Sequence, residues 1–350
     1  MKRPSPHHYP LSTIPKRAWH VVIMAGGLGE RLWPLTGSEL PKPLLPLRRG
    51  GTLLSATIDR AVALVPQDHV WVVTSALYGA RLMKELPTWL KPRVIIEPQV
   101  RGTATCIAIM AHVIAARDPR AGVIVLPSDH WITPLSAFRA TCHAAMRQSE
   151  AAPAALTCIG IPPARPSSGY GYIHHTDGGV TRFTEKPSMD QAAAWIREGS
   201  VLWNAGMFTG LAAAFQAACR RHVPALAEAI SSLPAQPGRS LERAMTATYA
   251  KLPVRSFDRE VLERHDAVAV VPATFTWNDV GSWAAWPVLE DILDVKRVGL
   301  EFLRLTDQRQ PVWLDSAVIV GAPGTLAIRT KHGLLVCHED AADHVRPPAS

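Results

Sequence analysis

Residues 20–29 read HVVIMAGGLG, a short apolar run that stops abruptly at a cluster of glycines. The apolar run is rich in β-branched residues, which predicts a buried β-strand, and the glycines that follow predict a loop. Glycines let the backbone approach a phosphate closely and point successive N–H groups toward it. We therefore expect the backbone of Ala25, Gly26, Gly27 and Gly29 to bind an anion.

Two basic residues follow the glycine loop. Arg31 comes first, and Lys42 stands between two prolines. Both add positive charge where a triphosphate would lie. The stretch is not a Walker A loop, because the pattern GxxxxGK[ST] does not occur in it. The dinucleotide fingerprint GxGxxG is absent as well, since Leu32 stands where its last glycine would be.

Short apolar runs alternate with segments of helical period along the first half of the chain. We expect strands at 70–73, 94–96 and 123–126, and helices at 52–64, capped by Thr52, and at 103–116. This alternation predicts βαβ units and a mainly parallel sheet. Ligands bind beyond the carboxyl ends of such strands, so the loops after residues 24, 96 and 126 should carry the chemistry.

The second half of the chain is less regular, and its end changes character. Residues 170–174 and 180–184 predict a hairpin around a turn at 177–179. Further strands are expected at 154–160 and 267–271, and further helices at 188–198, 211–220 and 238–250. Short apolar pieces at 318–320, 325–328 and 334–336 predict a β-rich tail. The expected domains are a flexible arm at 1–17, an α/β domain at 18–290 and a β-rich segment at 291–350.

Composition limits the partners. The 350 residues carry a formal charge of +8, but the lysines and arginines are scattered, and no zinc-finger spacing or RNP-type motif occurs. We therefore expect an anionic small substrate and no nucleic acid, with most charges on a solvated surface. No uncharged apolar run reaches about 18 residues, so no membrane partner is expected. The five cysteines form no CxxC pair, which fits a reducing cytoplasm.

The motifs together resemble a known family. Six segments after the glycine loop are similar to motifs of the sugar-phosphate nucleotidylyltransferases and, more narrowly, of the mannose-1-phosphate guanylyltransferases. In chain order they read EPQVRGTA at 97–104, PSDH at 127–130, GYGYI at 169–173, FTEKP at 183–187, WNAGMF at 203–208 and WNDVGSW at 277–283. The resemblance implies a Rossmann-like α/β nucleotidyltransferase domain with a mixed, mainly parallel sheet. It also implies a short C-terminal β segment similar to an eroded β-helix.

The resemblance also implies roles for individual residues. The expected catalytic residues are Arg31, Lys42, Asp129 and Asp279. The two aspartates would bind Mg²⁺, the expected cofactor, because this ion prefers carboxylate and phosphate oxygens. The nucleotide would contact Arg31 and Lys42 and the glycine loop at Ala25, Gly26, Gly27 and Gly29. It would also contact Arg101, Thr103 and Ser128. The sugar phosphate would contact Gly171, Glu185, Lys186 and Asn204.

Taken without the family, the same residues have simpler interpretations. Asp129 reads as a helix cap, and Glu185 with Lys186 reads as a surface ion pair. Three tryptophans are expected to pack in the core without a direct role, namely Trp203, Trp277 and Trp283. Asp258 and Glu263 match two acidic positions of a further family segment, and we expect them to be surface charges or helix caps.

The implied reaction transfers GMP from GTP to mannose 1-phosphate by in-line attack on the α-phosphorus. A phosphate monoester is already nucleophilic near neutral pH, so no general base is required. Another sugar 1-phosphate, another nucleotide or a non-catalytic regulatory role stays open as an alternative, as does a homodimer. Gly102 stands where the family has asparagine, and Thr105 where it has proline. We therefore expect GTP to be preferred, with weaker rejection of ATP than in relatives that have the asparagine.

Overall fold

The apolar run at residue 20 forms an inner strand of a nine-stranded sheet in the computed structural model of the chain. The structure describes residues 17–27, 29–176, 179–305, 312–314, 317–319 and 323–347. The strands of the α/β domain are β1 Trp19–Ala25, β2 Val70–Ser75, β3 Val94–Glu97, β4 Gly122–Pro127, β5 Trp131–Thr133, β6 Leu156–Ile161, β7 Gly171–Thr176, β8 Gly179–Glu185, β9 Val201–Leu211, β10 Val268–Pro272 and β11 Thr276–Asn278. The strands of the tail are β12 Glu301–Arg304, β13 Val312–Leu314, β14 Ala317–Ile319, β15 Thr325–Thr330 and β16 Gly333–His338.

Helices follow most of these strands. They are α1 Leu53–Val62, α2 Gly79–Glu85, α3 Thr103–Arg117, α4 Leu135–Ala151, α5 Met189–Glu198, α6 Ala212–His222, α7 Pro224–Ser231, α8 Arg239–Tyr249, α9 Phe257–Glu260, α10 Trp286–Ile292 and α11 Val295–Val298. The expected cap of α1 is confirmed, because Thr52 Oγ1 accepts a hydrogen bond from the Ser55 amide at 3.1 Å. Among the described residues, no helix is long and apolar enough to cross a membrane.

Seven strands form the main path of the sheet, in the order β10-β6-β9-β4-β1-β2-β3. Strand β1 pairs in parallel with β2 and β4, β2 with β3, and β6 with β10. Strand β9 runs antiparallel to both β4 and β6. The prediction of a mixed, mainly parallel α/β sheet is thereby confirmed.

Strand β9 pairs with two different strands along the same side, which leaves a gap in the sheet. Its residues 208–211 pair with β4, while its residues 201–204 pair with β7 on the same side. The segment at 205–207 lies between these two pairings. The carboxyl end of β4 and the amino end of β7 therefore face each other across a gap in the sheet.

Apolar layers cover both faces of the sheet. Alternate residues of β1 point to opposite layers, with Val22 in one layer and Val21 and Ile23 in the other. Helices α3, α6, α7 and α8 build the first layer, and α1, α2 and α4 build most of the second. A strand buried on both faces needs apolar side chains at every position, which explains the unbroken run in the sequence.

Most of the predicted elements form. The hairpin β7–β8 is present, although its turn residues 177 and 178 lie outside the described residues, as do residues 1–16 and Val320. The sequence reading missed β9, because Asn204 and Gly206 interrupt its apolar pattern. The sequence also predicts a helix that starts near Pro134, and α4, the longest helix that the structure describes, confirms it.

The tail packs against two loops of the α/β domain. One apolar cluster contains Leu32 and Trp283 from these loops together with Ile328 and Ala342 from the tail. Thr330 Oγ1 donates to the Pro34 carbonyl at 2.9 Å. These loops carry two of the predicted catalytic residues, so the tail supports the region where chemistry is expected.

Trp283 offers a direct test of this packing. The side chain is 1% exposed, and its Nε1 donates to the Trp33 carbonyl at 2.8 Å. Trp283→Ala should lower the free energy of unfolding by about 3–5 kcal/mol, because it leaves a large cavity. Trp283→Phe keeps most of the ring and loses one hydrogen bond, so it should cost about 1–2 kcal/mol. Urea denaturation measures both values, and two variants as stable as the wild type would contradict the assignment.

Candidate active site

A cleft of about 420 Å³ opens at the gap beside β9. The carboxyl ends of four strands reach it, through Met24 of β1, Val73 of β2, Glu97 of β3 and Pro127 of β4. Its other lining residues include Gly26, Gly27, Gly102, Thr103, Ser128, Asp129, His130, Tyr170, Asn204, Gly206, Asp258, Trp277 and Asp279. The sequence motifs thus meet at one edge of the sheet, as parallel strands require.

The glycine loop lines the cleft along one side. A Cβ atom added to Gly26 or Gly27 would meet nothing within 4 Å, so the backbone there faces open space. The Tyr78 hydroxyl donates to the Gly26 carbonyl, and Thr74 Oγ1 donates to the Ala25 carbonyl at 2.9 Å. With these carbonyls bound from behind, the loop is held in place beside the cleft.

Gly29 serves a different purpose from its neighbours. Its φ of 72° is left-handed, and an added Cβ would lie 2.6 Å from the Lys42 Cβ. Only glycine adopts this conformation readily and leaves room for the lysine. Gly29 therefore lets the Lys42 side chain pass close to the loop.

Lys42 joins the two predicted metal-binding aspartates. Its side chain is buried, and Nζ lies 3.0 Å from Asp129 Oδ2 while donating to the Asp279 carbonyl. Burial by itself would raise the pKa of Asp129, but the adjacent Lys42 ammonium holds that pKa below its usual range. Asp129 is therefore ionised at neutral pH and does not act as a helix cap, since α4 has no side-chain cap bond.

The turn that carries Asp279 is strained and tightly bonded. Val280 adopts a left-handed φ of 48°, which is unfavourable for a β-branched residue, and it is fully buried. Its amide donates to Asn278 Oδ1 at 2.7 Å, and the Tyr170 hydroxyl donates to Asp279 Oδ1 at 2.7 Å. These contacts fix the direction of the Asp279 carboxylate.

Arg31 reaches the same turn from the glycine loop. It lies in a short 3-10 turn at Glu30–Leu32. A Cβ added to Gly281 would lie 3.0 Å from Arg31 Nη2 and 2.3 Å from Asp279 Oδ2. The guanidinium and the carboxylate thus converge over Gly281, which must be glycine to leave them space.

The two aspartates are suitable ligands for a Mg²⁺ ion whose remaining ligands come from the substrate and water. Asp129 and Asp279 both line the cleft and offer hard carboxylate oxygens. Among the residues that the structure describes, no group of three or more histidine, cysteine or acidic side chains is arranged to hold a metal. Mg²⁺ commonly takes one or two protein carboxylates and completes its shell with phosphates and water. Two aspartates that line one cleft match the protein share of that pattern.

His130 and Trp277 were not predicted as site residues, yet both line the cleft. Trp277 Nε1 donates to His130 Nδ1 at 3.0 Å. Burial lowers the pKa of His130 to about 4, so its ring is neutral. The bond from the indole fixes the tautomer with its proton on Nε2. The prediction that the tryptophans only pack in the core is therefore too simple for Trp277, although Trp203 and Trp283 are buried.

The predicted sugar-binding residues come together at the start of β7. A Cβ added to Gly171 would lie 2.5 Å from Glu185 Oε2 and 3.2 Å from the Asn204 Cβ. Glu185 Oε2 is buried and has no hydrogen-bond partner within the described part of the chain. Lys186 Nζ lies 3.5 Å from Glu185 Oε1, and Lys186 has a left-handed φ of 53°. An oriented acceptor without a partner suits a sugar hydroxyl.

Asp258 is neither a surface charge nor a helix cap, which corrects the expectation from the sequence, and Glu263 is exposed as expected but also bonds to the backbone of a predicted site residue. Asp258 lines the cleft and accepts a hydrogen bond from Asn204 Nδ2 at 2.7 Å. Glu263 Oε1 accepts from the Glu185 amide at 2.6 Å. Both acids lie far from their partners in sequence, which is why no local pattern revealed these contacts.

Glu97 also lines the cleft, at the carboxyl end of β3. Its carboxyl group accepts from the buried Tyr249 hydroxyl at 3.1 Å. Burial raises the pKa of Glu97 to about 7.

Thr103 Oγ1 accepts from the Phe257 amide at 2.8 Å, and the Ser128 amide donates to the Met24 carbonyl at 3.1 Å. Thr103 and Ser128 therefore line the cleft in fixed positions, as their predicted role requires.

Arg101 and Gly102 have surroundings that their sequence motif does not reveal. Arg101 Nε donates to the Tyr249 carbonyl at 2.8 Å, and the side chain is not among the residues that line the cleft. Its predicted nucleotide contact stays a prediction. A Cβ added to Gly102 would lie 2.2 Å from the Arg255 carbonyl oxygen. Gly102→Asn would therefore displace the backbone, so this substitution cannot test base recognition cleanly.

Comparison with known proteins identifies the family of the chain. A family described as nucleotidyl transferase matches residues 20–294. A putative mannose-1-phosphate guanylyltransferase of Vibrio cholerae is 31% identical over 93% of this chain and 72% of its own length. The mannose-1-phosphate guanylyltransferase of Escherichia coli is 29% identical over 93% of this chain and 71% of its own length.

A solved structure supports the same assignment. It is named mannose-1-phosphate geranyltransferase, from Thermus thermophilus, and it superimposes with a TM-score of 0.76 at 29% identity. The match covers 94% of this chain and 97% of the other. The resemblance found in the sequence motifs is thereby confirmed. The chain belongs to the nucleotidyl transferase family and is a sugar-phosphate nucleotidyltransferase, like the relatives named mannose-1-phosphate guanylyltransferase.

Proposed function

We propose that this enzyme transfers GMP from GTP to mannose 1-phosphate and releases pyrophosphate. The observation that carries the proposal is that the predicted groups meet at one cleft. Glu97, the glycine loop, Asp129, Asp279 and Asn204 line it, and Glu185 lies close to Asn204 at Gly171. These groups suit a base, a chain of phosphates and a sugar. The names of the relatives favour guanine and mannose.

The reaction needs positioning more than acid–base chemistry. An oxygen of the sugar phosphate attacks the α-phosphorus, and the bond from that phosphorus to the bridging oxygen of pyrophosphate breaks in line. Both substrates are anionic, so they repel each other unless cations lie between them. Arg31 and the glycine-loop amides supply positive charge on the nucleotide side, and Lys186 supplies it on the sugar side.

Asp129 and Asp279 would hold Mg²⁺ in this arrangement. When bound, the ion neutralises charge on the phosphates and on the departing pyrophosphate. Lys42 holds Asp129 by its side chain and Asp279 by its carbonyl. We therefore assign Lys42 the task of keeping both carboxylates aimed at one point, close to the nucleotide phosphates.

Glu97 supplies a reason for guanine preference. Guanine presents N1–H and N2–H₂ donors side by side, whereas adenine presents an acceptor at N1. An ionised carboxylate accepts from both guanine donors and finds no matching pair on adenine. The Tyr249 hydroxyl holds one Glu97 oxygen, so the carboxylate has a fixed orientation.

A panel of nucleoside triphosphates and sugar 1-phosphates, assayed by pyrophosphate release, tests the proposal. GTP with mannose 1-phosphate should give the highest kcat/KM, with ATP rejected less strictly than by relatives that have asparagine at position 102. If glucose 1-phosphate or another nucleotide is preferred, the proposed pair of substrates is wrong and only the assignment to the family remains. If no pair reacts, the chain is a non-catalytic homologue.

Asp279→Asn tests the metal assignment. The substitution removes one negative charge while keeping the size of the side chain, so it should lower kcat by about 10²–10³-fold. Asp266→Asn is the matched control, since Asp266 is an exposed acid paired with Arg221. Circular dichroism confirms folding of both. A folded Asp279→Asn enzyme with nearly normal turnover would show that this carboxylate holds no metal.

Lys186→Ala tests the sugar-phosphate assignment. The side chain is half exposed beside Glu185, so its loss should leave the fold intact. The KM for mannose 1-phosphate should rise at least about tenfold, while the KM for GTP stays within about twofold. Exposed Lys84 on α2 provides a control through Lys84→Ala. Equal increases of both KM values would mean that Lys186 does not distinguish the substrates.

Glu97 predicts a pH dependence of base selectivity. Its pKa is raised to about 7, so the carboxylate that guanine needs is largely protonated at pH 6 and largely ionised at pH 8. The ratio of kcat/KM for GTP to that for ATP should therefore rise by up to about tenfold between these values. ATP corrects for titration of the triphosphate, which both nucleotides share. Glu97→Gln should give a low ratio that does not vary with pH, and a wild-type ratio that stays constant would exclude Glu97 from base recognition.

A further inference from the structure

Arg60 on α1 is a buried cation in an apolar layer. It is 5% exposed, and its guanidinium carbon lies 5.9 Å from the centre of the Phe138 ring. Within the described part of the chain, no carboxylate forms an ion pair with it. Burial lowers the pKa of Arg60 to about 10, so the group remains charged at neutral pH. A buried cation without a carboxylate is costly and calls for an explanation.

The guanidinium binds the loop that carries Asp129. Arg60 Nη2 donates to the His130 carbonyl at 3.0 Å and to Thr57 Oγ1 at 2.6 Å. Thr57 Oγ1 in turn lies 3.2 Å from the Ser128 carbonyl and 3.0 Å from the Leu53 carbonyl, to which it can donate. The two side chains thus contact the carbonyl groups on both sides of Asp129.

The geometry of α1 makes this contact direct. Residues three apart on a helix lie on the same face, so Thr57 and Arg60 point together toward the carboxyl end of β4. The planar guanidinium can donate to two acceptors at once without bending. By accepting from Arg60, the threonine hydroxyl is left to donate toward the backbone, which strengthens the chain of hydrogen bonds.

Pairing of strand β4 with its neighbours does not by itself fix the conformation of residues 128–130. Strand β4 ends at Pro127, and β5 begins at Trp131, so the peptide between them has no ladder partners on the side of α1. The Ser128 amide is already bound to the Met24 carbonyl. Without the donors of Thr57 and Arg60, the carbonyls of Ser128 and His130 would be buried without hydrogen-bond partners, and the peptide would rotate to find others.

We propose that Arg60 and Thr57 are positioning residues that hold the peptide 128–130 from behind, so that the Asp129 carboxylate faces Lys42 and the cleft. Neither side chain is among the residues that line the cleft. The consequence for turnover rests on the proposed function of Asp129, but the effect on the loop does not.

Four variants separate positioning from general stability. Arg60→Met keeps an apolar chain of similar length and removes the donors, and Thr57→Val removes only the hydroxyl. Arg93→Met is the matched control, because Arg93 is also partly buried and donates to a backbone carbonyl, that of Trp89 at 3.0 Å, before the amino end of β3. Arg60→Lys restores the charge and one donor, so it should recover part of the effect.

Hydrogen–deuterium exchange reads the loop without any substrate. In Arg60→Met, and less strongly in Thr57→Val, the peptide covering residues 127–131 should exchange at least about tenfold faster than in the wild type, while β2 and β3 stay unchanged. In Arg93→Met, exchange at 127–131 should match the wild type. Unchanged exchange in a folded Arg60→Met protein would overturn the proposal. If that variant does not fold, Thr57→Val decides by the same criterion.

Kinetics provides the second measurement. Misplacing Asp129 should lower kcat about tenfold to a hundredfold and raise the Mg²⁺ concentration needed for half-maximal rate, with both substrate KM values within about threefold. Losses of the same size in Arg93→Met would show a stability effect and overturn the positioning role. If the wild-type enzyme makes no GDP-mannose, the proposed function fails, and the exchange measurement still decides whether α1 holds the loop.

Discussion

The buried ammonium group of Lys42 connects the parts of the active site. It lies 3.0 Å from the Asp129 carboxylate and donates to the Asp279 carbonyl, so one cation joins the end of β4 to a turn much later in the chain. The lysine reaches this position because Gly29 has no side chain where it passes. The glycine loop is thus a structural requirement for the contact between Lys42 and the two aspartate loops.

Backbone strain is concentrated around the same cleft. Val280 and Lys186 are the two residues other than glycine with positive φ among those that the structure describes. Each is fixed by a hydrogen bond of its amide, Val280 to Asn278 Oδ1 and Lys186 to the Tyr170 carbonyl at 3.2 Å. Strained residues persist where the surroundings determine them fully, and here the strain directs a carboxylate and an ammonium group into or beside the cleft.

Each loop of the site is held by structure behind it. The tail packs on the loops of Arg31 and Asp279, and the Ser282 hydroxyl donates to Asp343 from the tail. Helix α1 contacts the Asp129 loop through Arg60. The in-line transfer that we propose depends on alignment of two anions, and supports of this kind would keep the aligning groups in place before substrate arrives.

The α/β class, the glycine loop and the family can all be predicted from the sequence, because strand and turn preferences are local and the motifs run in a fixed order along the chain. Which side chains contact each other depends on the complete fold. Asp258 contacts Asn204, and Glu97 contacts Tyr249, across separations that no periodicity records. Gly102 shows the same limit, since the Arg255 backbone occupies the space where a side chain would lie. Such contacts follow from the order of strands in the sheet, and that order depends on the packing of the whole chain.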